Sequence, residues 1–333
     1  MRKSVLITGA AGFIGSRMSK WILDNHPEYE VVGIDNLSGG YIENVDPRTV
    51  FYKRELSSDD ISDIFDKHEF MYVYHMAAYA AEGLSPFMRM FNDRNNMLST
   101  DNIINNCITH DVKRLVYPSS MSVYGHGKAN GEIFDESDVP CPIDPYGVSK
   151  YACEMNVRIA GDQHKLDWCI IRPHNFMGAG QNIWDKYRNV LGIWMYRTIK
   201  GLPMLIYGDG LQTRAFSVID NCFESFWKGA TDPVASKQIF NVGGIKPYTI
   251  KDAAEILLGI MGTGSIEYAE QRHEVKFAVP KPDKSIELLG YSEKYTFEDG
   301  LRMMWDWAKV QPDRPQKKWE RYEIEKGIYS YWK

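Results

Sequence analysis

Ser4-Val5-Leu6-Ile7-Thr8-Gly9-Ala10-Ala11-Gly12-Phe13-Ile14-Gly15 is the stretch on which the fold turns. Ser4 to Thr8 is a short apolar run that stops at a glycine, as a strand buried on both faces of a parallel sheet does. A helical pattern through Met18, Trp21 and Ile22 follows. Strand, glycine-rich turn and helix, in that order, form the setting that a dinucleotide-binding turn requires. In that setting Gly9 allows the tight turn and Gly12 lets the backbone approach a pyrophosphate at the positive helix end. Gly15 lets the helix lie close on the sheet. The spacing is G-x-x-G-x-x-G, not G-x-G-x-x-G.

Outward from this turn, strands and helices alternate. Glu30-Val31-Val32-Gly33-Ile34-Asp35 reads as a second strand ending in an acid. A carboxylate there accepts hydrogen bonds from adenosine ribose hydroxyls and repels a 2′-phosphate. Asn36 and Leu37 follow, with no nearby arginine to welcome that phosphate, so the pattern points to NAD rather than NADP. Met71 to His75 reads as a third strand leading into Ala77 and Ala78, small residues over which a cofactor can pass; His75 reads as a packed strand residue. Residues 85–110 read as one long helical segment containing Asn95 and Asn96. Leu115 to Tyr117 is a fourth strand, running into Ser119-Ser120, and Trp168 to Ile171 a fifth. The alternation predicts an α/β, Rossmann-type doubly wound parallel sheet with right-handed crossovers. Ligands in such sheets sit at the carboxyl ends of the strands, where Gly9, Asp35, Ala77, Ser120 and Arg172 fall.

Pro145-Tyr146-Gly147-Val148-Ser149-Lys150 opens a helix, and residues four apart share a face. Tyr146 and Lys150 therefore point the same way. A free phenol is a poor base at neutral pH, and a nearby ammonium is expected to pull its pKa down. A serine hydroxyl aimed at the same substrate oxygen completes a relay for moving a proton off an alcohol. Spacing alone is weak: Tyr196 and Lys200 share it, and that pair reads as an ordinary amphipathic helix face.

After Arg172-Pro173-His174-Asn175 the alternation weakens. A polar-aromatic loop spans Gln181 to Arg188, and helices are expected near 189–200, 220–230, 250–261 and 297–309. Gly208-Asp209-Gly210-Leu211-Gln212-Thr213-Arg214 is a turn-rich segment ahead of a strand over 215–218. The expected organisation is a cofactor domain, 1–174 with about 215–242, and a smaller C-terminal α/β substrate-binding domain, 175–214 with about 243–333. Arg214 and Arg272 are the candidates for a substrate's phosphates, because a guanidinium fork matches phosphate oxygens. The aromatic tail, with Trp319, Tyr322, Tyr329, Tyr331 and Trp332, suits packing onto the body or an interface.

Composition sets bounds on partners. The 333 residues are 44% hydrophobic and 25% charged, with a net charge of −5. That balance offers no basic footprint for nucleic acid. No apolar stretch is long enough for a membrane span, and the N-terminal apolar run breaks too early for a signal peptide. Five cysteines without a C-x-x-C pair suggest neither a disulfide framework nor a metal site, and fit a reducing cytoplasm.

Taken in order, Thr8–Gly15, Asp35-Asn36-Leu37, His75-Met76-Ala77-Ala78, Ser119–Gly125, Pro145–Lys150 and Arg172–Asn175 resemble the extended short-chain dehydrogenase/reductase family. Within it they are similar to NAD-dependent nucleotide-sugar epimerases of the UDP-glucose 4-epimerase type. The resemblance implies Tyr146 as catalytic base, Lys150 as the residue that binds the nicotinamide ribose and lowers the tyrosine pKa, and Ser120 as the hydroxyl on the sugar oxygen. It implies NAD contacts from Gly9, Ala11, Gly12, Phe13, Ile14, Gly15, Asp35, Asn36, Glu55, Leu56, Ala77, Ala78, Asn95, Ser119, Tyr146, Lys150 and Pro173. Substrate contacts are implied for Ser120, Ser122, Tyr146, Asn175, Asn189, Arg214 and Arg272. A homodimer built on the helices holding Asn95 and Lys150 is also implied. Related dehydratases, decarboxylases and 3,5-epimerases carry acids or a cysteine at 121–122, where this chain has Met121-Ser122, and that favours a UDP-hexose 4-epimerase. The alternatives are an epimerase or oxidoreductase on a GDP-, CDP- or TDP-sugar, for example 3,5-epimerase-like, and a non-catalytic NAD sensor. Residues 80–85 and the loop around Trp184 depart from the galactose enzymes, and Val279 falls near a position that limits sugar size.

Overall fold

Seven parallel strands form the central sheet of the computed structural model, which describes residues 3–126, 133–316 and 318–332. From edge to edge they run Gln238–Val242, Trp168–Pro173, Arg114–Pro118, Phe70–His75, Lys3–Thr8, Tyr29–Asp35 and Val50–Lys53. Numbered along the chain this is 7-6-5-4-1-2-3, the doubly wound order, and it reverses direction beside Lys3–Thr8. Both faces are covered. Val5, Ile7, Val31 and Tyr74 pack against Met18 and Ile22 of the helix Phe13–Asn25 and Phe226 of the helix Phe223–Thr231. Leu6, Val32, Val73 and Leu115 face the other way, onto Ile64, Ile103 and Val157 from the helices Ser62–His68, Ser99–Thr109 and Pro145–His164. Successive strand residues alternate faces, so a strand covered twice needs apolar residues at every position.

Two departures from the sequence reading matter for the site. Val50–Lys53 is a strand, so Phe70–His75 is fourth in the chain rather than third. The 85–110 stretch is not one helix: a 3-10 turn (Ser85–Phe87) and a short helix (Arg89–Asp93) lead into a π turn (Arg94–Leu98) before Ser99–Thr109. Such π turns are frequent at functional sites. This one presents Asn95 to the central cavity while the Asn96 amide oxygen accepts the Tyr79 N–H at 2.9 Å.

The C-terminal half has its own core of Trp194, Met195, Met204, Ile206, Leu257, Leu301 and Met304. Its helices Ile250–Met261 and Phe297–Ala308 each start with a capping box, Thr249/Asp252 and Thr296/Asp299. The strand expected over 215–218 is broken at Phe216. Thr213–Ala215 pairs with Pro247–Thr249 and Phe277–Ala278, whereas Ser217–Val218 pairs with Phe176–Met177. Among the described residues no helix is long and apolar enough to cross a membrane, and no cluster of potential metal ligands occurs.

Candidate active site

One cavity of about 450 Å³ opens at the carboxyl ends of the strands and continues beneath the C-terminal half. Its first wall is the glycine turn. Gly9 has φ +66°, and a Cβ there would lie 2.9 Å from the Ala77 Cα; a Cβ on Gly15 would lie 2.2 Å from the Gly9 carbonyl oxygen. Only glycine satisfies both positions. No side chain caps the helix that starts at Phe13, so its first-turn N–H groups are left for another acceptor. Gly9, Gly12, Phe13, Ile14 and Gly15 line the cavity. Ala11 lies behind them, and its N–H donates to Asp35 Oδ2 at 3.0 Å.

Asp35 Oδ1 accepts the Leu37 N–H at 2.7 Å. Burial pushes this carboxyl up, against the two backbone N–H groups that hold its charged form. Asn36, Glu55, Leu56, Ala77, Ala78, Asn95, Ser119 and Pro173 are further along the wall. The expectation that no arginine stands near Asp35 is corrected here. Arg54, at the end of the unforeseen strand, lines the cavity and donates its backbone N–H to the Asp35 carbonyl at 3.2 Å, although its guanidinium is 3.6 Å from Asp63. His75 is a packed strand residue as expected. Its two ring nitrogens meet Thr8 Oγ1 (2.8 Å) and Thr100 Oγ1 (3.0 Å), and burial drives its pKa down to about 3. Arg172 turns inward and makes a bidentate pair with Glu154 at 2.9 and 2.7 Å, so its charge is spent inside the protein.

Tyr146, Lys150 and Ser120 meet on the same cavity. Asp144 caps the helix of Tyr146 and Lys150 by accepting the Gly147 N–H at 2.8 Å, and Pro145 occupies its first turn; Ser120 stands ahead of the 3-10 turn Met121–Tyr124. Lys150 Nζ donates to the Pro118 carbonyl at 2.8 Å and lies 4.9 Å from the Tyr117 ring centre. Burial lowers the Lys150 pKa to about 8. The Tyr146 phenol is pushed up rather than down, by burial first and then by the Glu82 carboxylate; the Ser120 hydroxyl acts in the opposite direction. Lys150 is not among the groups that act on this phenol, so the expected lowering by Lys150 is not found in the chain alone, where desolvation dominates.

The far wall belongs to the C-terminal half. Asn175, Asn189, Arg214 and Arg272 all line it. Glu274 braces the two arginines, accepting from Arg214 at 2.9 Å and Arg272 at 3.3 Å, and Gln212 donates to the same carboxylate at 3.1 Å. Asn189 Oδ1 caps the helix Val190–Ile199 through the Gly192 N–H at 2.7 Å. Ser122 is buried behind Ser120, outside the cavity lining; its N–H donates to Ser120 Oγ at 3.1 Å. Val279 is also outside the lining, where Val275 stands instead.

Several lining residues escaped the sequence reading. Gln181, Asn182, Lys186, Tyr187 and Arg188 come from the polar-aromatic loop. Fully buried Asp185 anchors it, accepting from the Tyr79 hydroxyl (3.1 Å), the Tyr187 N–H (3.0 Å) and Arg188 Nε (2.9 Å). The aromatic tail packs onto the body: Tyr329 reaches the cavity and its hydroxyl accepts the His273 N–H at 3.0 Å. Glu82 and Asp144 also face the cavity. The 80–85 segment that carries Glu82 departs from the galactose enzymes, but nothing in the sequence shows that these two carboxylates share one space.

A glycine cradle at the switch point of this sheet, joined by one cavity to a Tyr-x-x-x-Lys pair, defines a Rossmann-type enzyme of the extended short-chain dehydrogenase/reductase kind. The chain belongs to the NAD dependent epimerase/dehydratase family, whose model matches residues 5–243. It is 26% identical, over 92% of its length and 98% of the relative's, to a putative UDP-glucose 4-epimerase of Methanocaldococcus jannaschii. Its fold is similar to that of the Thermotoga maritima UDP-glucose 4-epimerase solved with UDP-glucose, at 27% identity and TM-score 0.85 over 91% of this chain and 98% of that one. A UDP-glucuronic acid 4-epimerase of Bacillus cereus, solved with UDP-glucuronic acid and NAD, matches at 27% identity and TM-score 0.84 over 92% and 99%. The cofactor is NAD, and the close glycine turn and the buried Asp35 carboxylate fit it.

Proposed function

We propose that the protein is a nucleotide-sugar 4-epimerase, acting on a UDP-hexose through a transient 4-keto sugar. The observation that carries this reading is the single cavity, with the glycine cradle on one wall, Tyr146, Lys150 and Ser120 between, and Arg214 and Arg272 on the other. Bound NAD supplies a hydride acceptor that can give the hydride back. Tyr146 takes the proton of the sugar 4-hydroxyl as C4 is oxidised and returns it after reduction. Lys150 holds the ribose and favours the phenolate, while Ser120 steadies the sugar oxygen and keeps Tyr146 polarised. Arg214 and Arg272 keep the diphosphate in place while the keto sugar turns about its phosphate linkage. Ser122 acts from behind the wall, through Ser120.

The division into 1–174 with about 215–242, and 175–214 with about 243–333, belongs to the same proposal; strand Gln238–Val242 of the central sheet supports it. A homodimer and a cytoplasmic location belong to it as well. The homodimer is supported by exposed Leu98, Val148, Met155 and Ile159 on the two helical segments that would pair.

The test is incubation of the purified protein, without added cofactor, with UDP-, GDP-, CDP- and TDP-sugars in deuterated water, followed by proton NMR. A C4 epimer with no solvent deuterium in the ring is the expected result. Deuterium at C3 or C5 would overturn it in favour of 3,5-epimerase chemistry. Retained NAD with no turnover of any sugar would favour the sensor reading.

A further inference from the structure

Glu82 lies on the loop between Phe70–His75 and the turn Ser85–Phe87, and that loop is fixed. Ala81 and Leu84 are buried on either side. The Ser85 hydroxyl donates to the Glu82 carbonyl at 2.8 Å and accepts the Tyr146 N–H at 3.1 Å, tying the loop to the start of the catalytic helix. Glu82 is exposed, and it lines the cavity. It makes no hydrogen bond and no ion pair within 4 Å among the described residues. Its neighbours are Asp144 and Glu274, which repel it, and Arg214 and Arg272, which attract it; it acts in turn on Tyr146. Asp144 is already occupied as a helix cap. Glu82 is the carboxylate left open to a ligand.

On the proposed reading, C4 of the sugar sits at Tyr146 and the diphosphate at the arginines. A carboxylate on the wall of the same cavity, acting on Tyr146 and attracted by both arginines, is placed to meet the pyranose ring of such a substrate. Its carboxyl is raised to about 7, so above that pH it is ionised and accepts O–H or N–H donors, with charge-assisted bonds roughly twice as strong as neutral ones, and the measurements below are made at pH 8. A carboxylate on the sugar would bring like charges together in a confined space, and such repulsive elements set specificity as firmly as attractive ones.

We propose that Glu82 is a specificity-determining residue that accepts hydrogen bonds from the ring hydroxyls or amine of a neutral or amino hexose and, with Asp144, excludes uronic acids. This rests on the nucleotide-sugar reading, so the test separates the two. Initial rates on UDP-glucose, UDP-glucosamine and UDP-glucuronic acid are compared for the wild type, Glu82→Gln and Glu82→Ala. Affinities for the same three are measured by calorimetry in a Tyr146→Phe background. Wild type is expected to favour the neutral and amino sugars. Each Glu82 substitution is expected to narrow that preference over the uronic acid by about tenfold or more, mostly through KM and Kd, on the scale of one lost polar contact. A preference unchanged in both variants, or a wild type that favours UDP-glucuronic acid, overturns the role of Glu82. Absence of turnover together with the expected binding preferences would sink the epimerase reading and leave Glu82 as the selector.

Discussion

The chain carries the Y-x-x-x-K spacing twice, and the two copies have opposite surroundings. Tyr146 and Lys150 are 5% and 4% exposed on the wall of the central cavity, and Lys150 has exchanged water for the Pro118 carbonyl. Lys200 is exposed, lies 5.7 Å from the centre of the half-buried Tyr196 ring and pairs with Asp313 at 2.6 Å. Burial lowers the first lysine toward neutrality, while a solvated carboxylate partner raises the second. Identical spacing thus yields an incompletely satisfied ammonium in one place and a solvated pair in the other. Reactivity comes from the surroundings a helix face meets rather than from the face itself.

The largest break in this comparison is expected from Tyr146→Phe. Turnover should fall by about 10²- to 10⁴-fold, the range for loss of a general base, with NAD retention and melting temperature unchanged. Tyr196→Phe should alter none of these. Near-normal rates for Tyr146→Phe would remove it from its role.

Lys150→Met should cost less turnover than loss of the phenol, but should also weaken NAD retention, and Lys200→Met should do neither. The pH dependence sharpens the contrast. A lysine with its pKa lowered to about 8 loses its ammonium well before an ordinary lysine. Stopped-flow measurement of cofactor reduction should therefore show an alkaline limb near that pH, absent in Lys150→Met. A flat profile through pH 9 would mean Lys150 stays charged.

A smaller effect is expected at the cofactor's other end. Asp35→Ala removes the acceptor for the ribose hydroxyls and should increase NAD loss on gel filtration by about tenfold. Unchanged retention would show that the glycine cradle alone suffices. The same variant should gain NADP affinity, because Arg54 stands beside Asp35.

What the sequence made legible follows burial. Strands covered on both faces, such as Lys3–Thr8 and Trp168–Pro173, show as apolar runs; Val50–Lys53, half-buried at the sheet edge, does not. Helices with caps at Thr249 and Thr296 were placed within a residue or two, while the break at Phe216 depended on pairing between distant segments. The glycines, Asp35, Tyr146 and Lys150 stood out because their chemistry is local. Glu82 and Asp144 did not, since a loop carboxylate looks like any surface charge until the fold brings it to a cavity. Arg172 misled in the reverse sense: at a strand end it suggested a ligand contact, yet Glu154 from another helix claims it.

The smallest effect is expected at Glu82, a charge that lines the cavity without being closed off from water. Burial and Asp144 push the Glu82 carboxyl above the ordinary range. Below the ordinary carboxylate pKa Glu82 is protonated in both folded and unfolded chains, and its ionisation costs nothing. As pH rises through that range the unfolded chain ionises first, so stability is progressively lost until the folded carboxylate ionises too. Glu82→Gln keeps the shape and removes the charge. Glu82 is exposed to the cavity, so solvent screens most of this cost, and the melting temperature of the variant should exceed that of the wild type by only about a degree at pH 8, with the gain shrinking toward pH 4. Asp144 acts on Glu82 and the two share the cavity, so the difference between the two melting curves reports the interacting carboxylates together. An equal shift at both pH values would mean that Glu82 is not desolvated.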